Sequence, residues 1–255
     1  MKSLETHLRA QRAAGVKSLV PYFMAGLTPD WVQHVHAAVA GGASAVEIGL
    51  PFSDPMIDGV VIQEAGLRSL ASGTTFDTTC SALGDQELAV PLVAMTYYNI
   101  FHHYGLRASA RRLQDAGISG TIVPDLSVEE AEPWREACHD GDVSTVFLVA
   151  PSTPPERVIR IVAMSEGFVY ASARMAVTGQ AETVGDAPDV VARVRDACDL
   201  PVLAGIGIAT PALAHEAAQS ADGVIVGTAL VRRILDGASP LDTERAVAEF
   251  RRALA

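Results

Sequence analysis

A closed (β/α)8 barrel of the TIM type, one α/β domain spanning residues 1–255, is the fold class that the sequence predicts, and three observations carry the expectation. Eight short β-rich apolar runs recur along the chain with helix-like segments between them, a rhythm that implies right-handed crossovers and a parallel sheet. A length of 255 residues at 49% hydrophobic suits one large core and about eight such units, which favours closure over an open doubly wound sheet. No Pro/Ser-rich linker or low-complexity tract divides the chain.

Taken in order, Met1 to Gly15 carries Lys2, Glu5, Arg9 and Arg12 without an apolar stretch, which reads as an amphipathic first helix and not a signal peptide. The strand candidates are Ser18 to Met24, Ala45 to Gly49, Val90 to Thr96, Gly120 to Val123, Thr145 to Val149, Phe168 to Ser172, Val202 to Ala204 and Val224 to Val226. Helices are expected at Asp30 to Ala40, Leu106 to Ala116, Val128 to His139, Pro155 to Met164, Asp189 to Cys198, Pro211 to Gln219 and Asp242 to Leu254. Several of these open on Asp, Ser, Thr or Pro at cap or first-turn positions. Two connections exceed the usual length, Leu50 to Val60 after the second strand and Arg174 to Pro188 after the sixth. In a barrel both emerge on the catalytic face, where long loops serve as lids.

Composition removes several function classes. With 19 basic against 30 acidic residues the net charge is −11, which argues against nucleic acid and against an anionic membrane as partners. No apolar run is long enough to span a bilayer. Cys80, Cys138 and Cys198 are too few and too scattered for a disulfide framework, so a cytoplasmic location is expected. Lys2 and Lys17 are the only lysines, and both precede the first strand. From there neither reaches the catalytic face, which excludes a Schiff-base aldolase, a lysine-anchored pyridoxal phosphate and a lysine base. The histidines, including the pairs His34 with His36 and His102 with His103, do not converge with Cys or carboxylates as metal ligands would. No metal is expected.

Carboxylate chemistry remains, and Val46 to Gln63 supplies it. Ala45, Glu47 and Gly49 alternate onto one strand face and Val46 and Ile48 onto the other, so Glu47 points into a cavity lined by small residues. An ionised carboxylate there is costly unless a partner or a task compensates it. Asp58 lies eleven positions on, in the loop above. A dry Glu with a raised pKa and a more solvated, ionised Asp can divide acid and base work, although Glu47 also reads as half of a core ion pair and Asp58-Gly59 as a turn dipeptide. Asp54, between Ser53 and Pro55, suits a turn or a partner contact better than catalysis. Tyr170 shares its face with Phe168 and Ser172, so its hydroxyl can reach the same cavity or simply pack. After the seventh and eighth strands, Gly205-Ile206-Gly207-Ile208 and Gly223 to Gly227-Thr228-Ala229 join a strand to a helix start. Barrels commonly bind phosphate at these two loops, and Gly207, Gly227 and Thr228 would expose backbone amides there.

These residues are specific enough to resemble a known family, the alpha subunit of tryptophan synthase. The resemblance runs nearly end to end. It rests on Pro21-Tyr22-Phe-Met-Ala-Gly26, on Glu47-Ile-Gly-Leu-Pro-Phe-Ser-Asp54-Pro-Met-Ile-Asp58-Gly59, on Tyr97-Tyr-Asn99, Tyr104-Gly105 and Val123 to Glu130. Leu148 to Pro154, Val177-Thr178-Gly179, Gly205 to Ile208 and Asp222 to Gly227 complete it. The resemblance implies retro-aldol cleavage of indole-3-glycerol phosphate to indole and glyceraldehyde 3-phosphate, without metal or organic cofactor. It implies Glu47 as the acid-base residue, helping to protonate indole C3 and taking the proton of the hydroxyl next to the ring. It implies Asp58 at the indole N–H, stabilising charge on the ring nitrogen, and Tyr170 beside the reacting carbon. Gly179, Gly207, Gly227 and Thr228 would hold the phosphate, while Tyr22, Tyr97, Ile206, Arg174 and Thr178 would belong to the pocket and its lid.

The chain also departs from the family pattern. Ala176, after Arg174-Met175, replaces a flexible lid glycine; Ile206 stands where Phe is general; Ile57 and Val60 replace Ala and Pro; Thr228 replaces Ser; and Gly26-Leu-Thr-Pro-Asp30 differs from the common Gly-Asp-Pro form. By resemblance a pyridoxal-phosphate-dependent beta subunit, in an alpha2-beta2 assembly, would cover this face. The sequence leaves open an alpha-type subunit with such a partner, a free-standing indole-3-glycerol phosphate lyase, and a non-catalytic regulatory paralogue. A sugar-phosphate isomerase-like barrel would explain the glycines but not Pro51-Phe-Ser-Asp-Pro55.

Overall fold

The computed structural model describes residues 3–172 and 185–255. Its strands are β1 (Ser18–Met24), β2 (Val46–Gly49), β3 (Leu92–Met95), β4 (Ile118–Ile122), β5 (Ser144–Val146), β6 (Leu148–Val149), β7 (Val169–Ser172), β8 (Val202–Gly205) and β9 (Gly223–Val226). The order is β5-β4-β3-β2-β1-β9-β8-β7-β6, with parallel pairing throughout. β5 and β6 are the two halves of one predicted strand, interrupted only at Phe147, so they close the sheet on itself and the count of eight units holds.

Every strand position is buried apart from three that are partly so, Met95, Ser119 and Leu148, as a parallel sheet covered on both faces requires. Alternation then sorts side chains into two cores. Val46, Ile48, Ala94, Val169, Ala171 and Val224 face outward against the helices. Val20, Ala45, Val93, Ile122, Phe168, Leu203 and Ile225 face the barrel interior, where Leu4 and Leu8 of α1 (Ser3–Ala13) join them. The first helix therefore plugs the N-terminal end of the barrel. Gly120 and Gly167 make room for that plug, because a Cβ on either would collide with the Leu4 side chain.

The outer helices are α2 (Trp31–Ala40), α3 (Val60–Ala71), α4 (Phe76–Gly84), α5 (Tyr98–Tyr104), α6 (Leu106–Asp115), α7 (Glu132–Asp140), α8 (Pro155–Met164), α9 (Ala187–Ala197), α10 (Pro211–Ala218), α11 (Thr228–Leu235) and α12 (Pro240–Ala253). Seven of them match the segments expected from cap residues and periodicity. α3, α4, α5 and α11 lie outside those segments. α3 and α11 begin on Gly59 and Gly227 with no side-chain cap, α3 opens on three β-branched residues and α5 is largely aromatic, so local helix signals are weak and packing on the barrel decides. No helix among the described residues is long and apolar enough to cross a membrane.

Candidate active site

At the C-terminal ends of the strands lies a cavity of about 450 Å3, lined by Tyr22, Glu47, Asp58, Tyr170, Ile206, Gly207, Gly227 and Thr228 together with apolar residues such as Met95, Leu148 and Ile225. Strand alternation and the loops after β2, β8 and β9 thus bring together residues far apart in sequence. Arg174, Thr178 and Gly179, expected in the pocket or lid, lie outside the described residues. Tyr97 does not line this cavity. It caps α5 at the end of β3 and lines a small recess behind, shared with Phe52, Pro55 and Gln63.

Glu47 is 1% exposed, and its Oε2 is buried without a hydrogen-bond partner among the described residues. Among the described residues no cation stands against it, which counts against the ion-pair reading. Burial, followed by the nearby Asp58 charge, pushes its pKa up to about 8. The group is therefore a carboxylic acid at neutral pH, with one oxygen free to serve a ligand.

Asp58 is half-buried in the β2–α3 loop rather than well solvated, and burial raises its pKa too. A hydrogen bond from Tyr97 opposes the rise: Tyr97 Oη donates to Asp58 Oδ2 at 3.2 Å and accepts the Ile57 N–H at 3.2 Å. Stacking on Phe52, with ring centroids 4.9 Å apart, fixes the Tyr97 ring. Gln63 Nε2 donates to the Asp58 carbonyl at 2.8 Å and ties the loop to α3.

Two glycines that end strands shape the same cavity. A Cβ on Gly49 would collide with the Tyr22 hydroxyl, and one on Gly205 with the Tyr170 hydroxyl. Each glycine thus lets a phenol lie across the neighbouring strand end. Both phenol pKa values stand well above ordinary, chiefly through burial, so the hydroxyls are neutral donors. The Ile206 backbone N–H donates to Tyr170. Reasoning from sequence missed these two spacer glycines, although a glycine ending a strand beside a tyrosine on the next one is a readable signal.

Ile206 itself has φ +64°, a left-handed conformation that a β-branched side chain resists, and Gly207 follows at φ +101°. The sharp turn directs the backbone of this loop toward the cavity. Across from it, Gly227 caps α11, whose Leu230 and Val231 amides bond back to the Gly227 carbonyl, while the Thr228 and Ala229 amides before them precede any intrahelical acceptor, which suits an anion. Among the described residues no cluster of three or more His, Cys, Asp or Glu side chains is placed to hold a metal ion. Lys17 lies at the opposite end, donating to the Ala221 carbonyl at 2.8 Å.

The sequence profile of the family described as tryptophan synthase alpha chain matches residues 8–254. The chain is 43% identical to the tryptophan synthase alpha chain of Thermobifida fusca over 251 residues, covering 95% of this chain and 92% of that one. It is 42% identical to the one from Halorhodospira halophila over 265 aligned positions, covering 100% and 97%. Among solved structures, Mycobacterium tuberculosis tryptophan synthase superposes with a TM-score of 0.92 at 36% identity, covering 99% of this chain and 98% of that one. The tryptophan synthase alpha subunit of Legionella pneumophila superposes with a TM-score of 0.88 at 30% identity, covering 100% and 98%. Coverage from end to end at these identities, on a barrel of the same shape, means that this chain belongs to the tryptophan synthase alpha chain family.

Proposed function

We propose that the chain acts as a tryptophan synthase alpha-type subunit, a carbon–carbon lyase that cleaves indole-3-glycerol phosphate to indole and glyceraldehyde 3-phosphate. The observation that carries the mechanism is a buried Glu47 holding its proton to about pH 8, with an oxygen that has no partner among the described residues, in a cavity that also holds Asp58 and the start of α11. Glu47 begins protonated and gives its proton to indole C3. Positive charge then develops on the ring nitrogen, and ionised Asp58 stabilises it at the N–H. As a carboxylate, Glu47 next takes the proton of the ring-adjacent hydroxyl. The carbon–carbon bond breaks, its electron pair returns to the indole ring, the hydroxyl carbon becomes the aldehyde, and Glu47 regains its starting form.

The remaining roles follow from placement. The amides of Gly207, Gly227 and Thr228, with Gly179, would hold the phosphate. The Tyr170 hydroxyl lies against the Gly205 end of β8, where it can face the reacting carbon. Arg174 and Thr178 would belong to the lid and Ile206 to the indole pocket. No cofactor is assigned. For the partner we propose a beta subunit, because Met56 at 74% and Val60 at 73% exposure flank Asp58 on the rim of the site and form an apolar edge suited to cover. The Mycobacterium tuberculosis neighbours are structures of tryptophan synthase. A cytoplasmic location is proposed from the three free thiols.

Full-length relatives that are all tryptophan synthase alpha chains do not favour a free-standing lyase or a regulatory paralogue. Indole release from indole-3-glycerol phosphate, measured with and without a beta subunit, tests the proposal. Slow cleavage alone and activation by the partner are expected; absence of cleavage in both settings overturns the lyase reading, and Glu47→Gln turning over like the wild type overturns the mechanism.

A further inference from the structure

Tyr22 sits on β1, the strand between β2, which carries Glu47, and β9, which leads to Gly227. It is the register partner of Glu47, and the preceding pair is Pro21 with Val226, which sets Tyr22 level with Gly227 on the other side. The side chain bridges that gap. A Cβ on Gly227 would stand 3.5 Å from the Tyr22 Cβ and 3.7 Å from Cδ1, so the stem of the tyrosine packs on that glycine. At the other end the hydroxyl lies over Gly49, two residues beyond Glu47 on the same strand face. Tyr22 is buried, and among the described residues none accepts its hydroxyl proton.

The following rests on the lyase reading above. A substrate with its phosphate at Gly227 and its ring between Glu47 and Asp58 must lay its three-carbon chain across Tyr22. That chain has two hydroxyls. The ring-adjacent one gives its proton to Glu47, which leaves the middle hydroxyl facing the Tyr22 phenol, a donor with no acceptor among the described residues. We propose that Tyr22 is a specificity-determining residue that donates a hydrogen bond to the middle hydroxyl of the substrate's glycerol chain. A pocket that holds a hydrogen-bonding group for a substrate hydroxyl discriminates against the analogue without it, because the buried group is then left unpaired.

The test compares indole-3-glycerol phosphate with its analogue lacking the middle hydroxyl, using wild type and Tyr22→Phe in the presence of a beta subunit. The analogue remains cleavable, since the bond change needs only the ring-adjacent hydroxyl: its proton leaves, the carbonyl forms and the ring carbon departs protonated. Wild type should prefer the parent by about tenfold in kcat/KM, the value of one net neutral hydrogen bond. Tyr22→Phe should lose that preference, with a fall of about tenfold on the parent and unchanged turnover of the analogue. An equal fall on both substrates overturns the assignment, since Tyr22 would then act through Glu47, Asp58 or the fold; so does no fall on either. Failure of the wild type to cleave the parent overturns the lyase reading itself, and this role with it.

Discussion

The Tyr97 hydroxyl joins two neighbours in the β2–α3 loop, accepting the Ile57 N–H and donating to Asp58 Oδ2, each at 3.2 Å. One side chain from the end of β3 thus sets both the position and the charge of an acid on a different loop. Tyr97→Phe keeps the stack on Phe52 and removes both bonds. The bond to Tyr97 lowers the Asp58 pKa, so its loss raises that pKa further. The expected result is a fall of about tenfold in kcat/KM and an acid limb of the pH profile displaced to higher pH. A fall without displacement would mean that Tyr97 positions the loop only.

Glu47 makes stability depend on pH in a direction unusual for a carboxylate. Its pKa in the folded protein is about 8 against an ordinary 4.5, so between those values the folded state holds a proton that the unfolded chain has released. Stability from this group is full below the ordinary value and is lost as pH rises toward about 8. Glu47→Gln removes the loss, and since Oε2 has no partner among the described residues the amide sacrifices no bond there. Denaturant unfolding across the pH range should show the variant gaining on the wild type as pH rises, by on the order of 3 kcal/mol near neutrality. A difference that stays flat with pH would assign Glu47 an ordinary pKa. In kcat/KM the wild type should lose activity above about pH 8, as the proton destined for indole C3 is released.

Gly205 exists for Tyr170. Gly205→Ala places a methyl group on the phenol, and overpacking of this kind costs about 1–3 kcal/mol while displacing the hydroxyl from the cavity. Turnover should fall together with stability. In a Tyr170→Ala background the added methyl meets open space, so the same substitution should cost little more; an undiminished cost in that background would place the clash elsewhere.

Ile206 and Ile208 are two residues apart and differ in backbone. Ile206, at φ +64°, gains conformational relief from glycine that offsets much of the lost apolar contact, so Ile206→Gly should remain within about 1 kcal/mol of wild type. Ile208 is buried and has no positive φ, and Ile208→Gly should cost about 3 kcal/mol or more. Equal losses in thermal or denaturant unfolding would show that the left-handed residue stores no strain.

Much of this molecule is legible from its pattern because the physics is local. Burial on both faces demands apolar runs, and those runs mark every strand from Ser18–Met24 to Gly223–Val226. A period of two puts Glu47 and Tyr170 on the interior face without any knowledge of neighbours. Helices α3, α5 and α11, which have no side-chain cap, escape such reading because packing on the barrel stabilises them more than their own sequence does, whereas α4 carries a capping box from Thr75 and Thr78 that reasoning from sequence passed over.

What the chain determined by itself is the strand rhythm, the inward acid, the glycine-rich loops and the scarcity of lysine. What only the tertiary structure decided is which groups meet. Tyr97 stands behind Asp58 rather than in the cavity, Asp58 is half-buried rather than well solvated, Glu47 has no cation beside it among the described residues, and Gly49 and Gly205 shelter two phenols. The physical reason is that a pKa and a hydrogen bond depend on distance and on excluded water, and closure of the barrel sets both by bringing β1, β2, β8 and β9 to one rim.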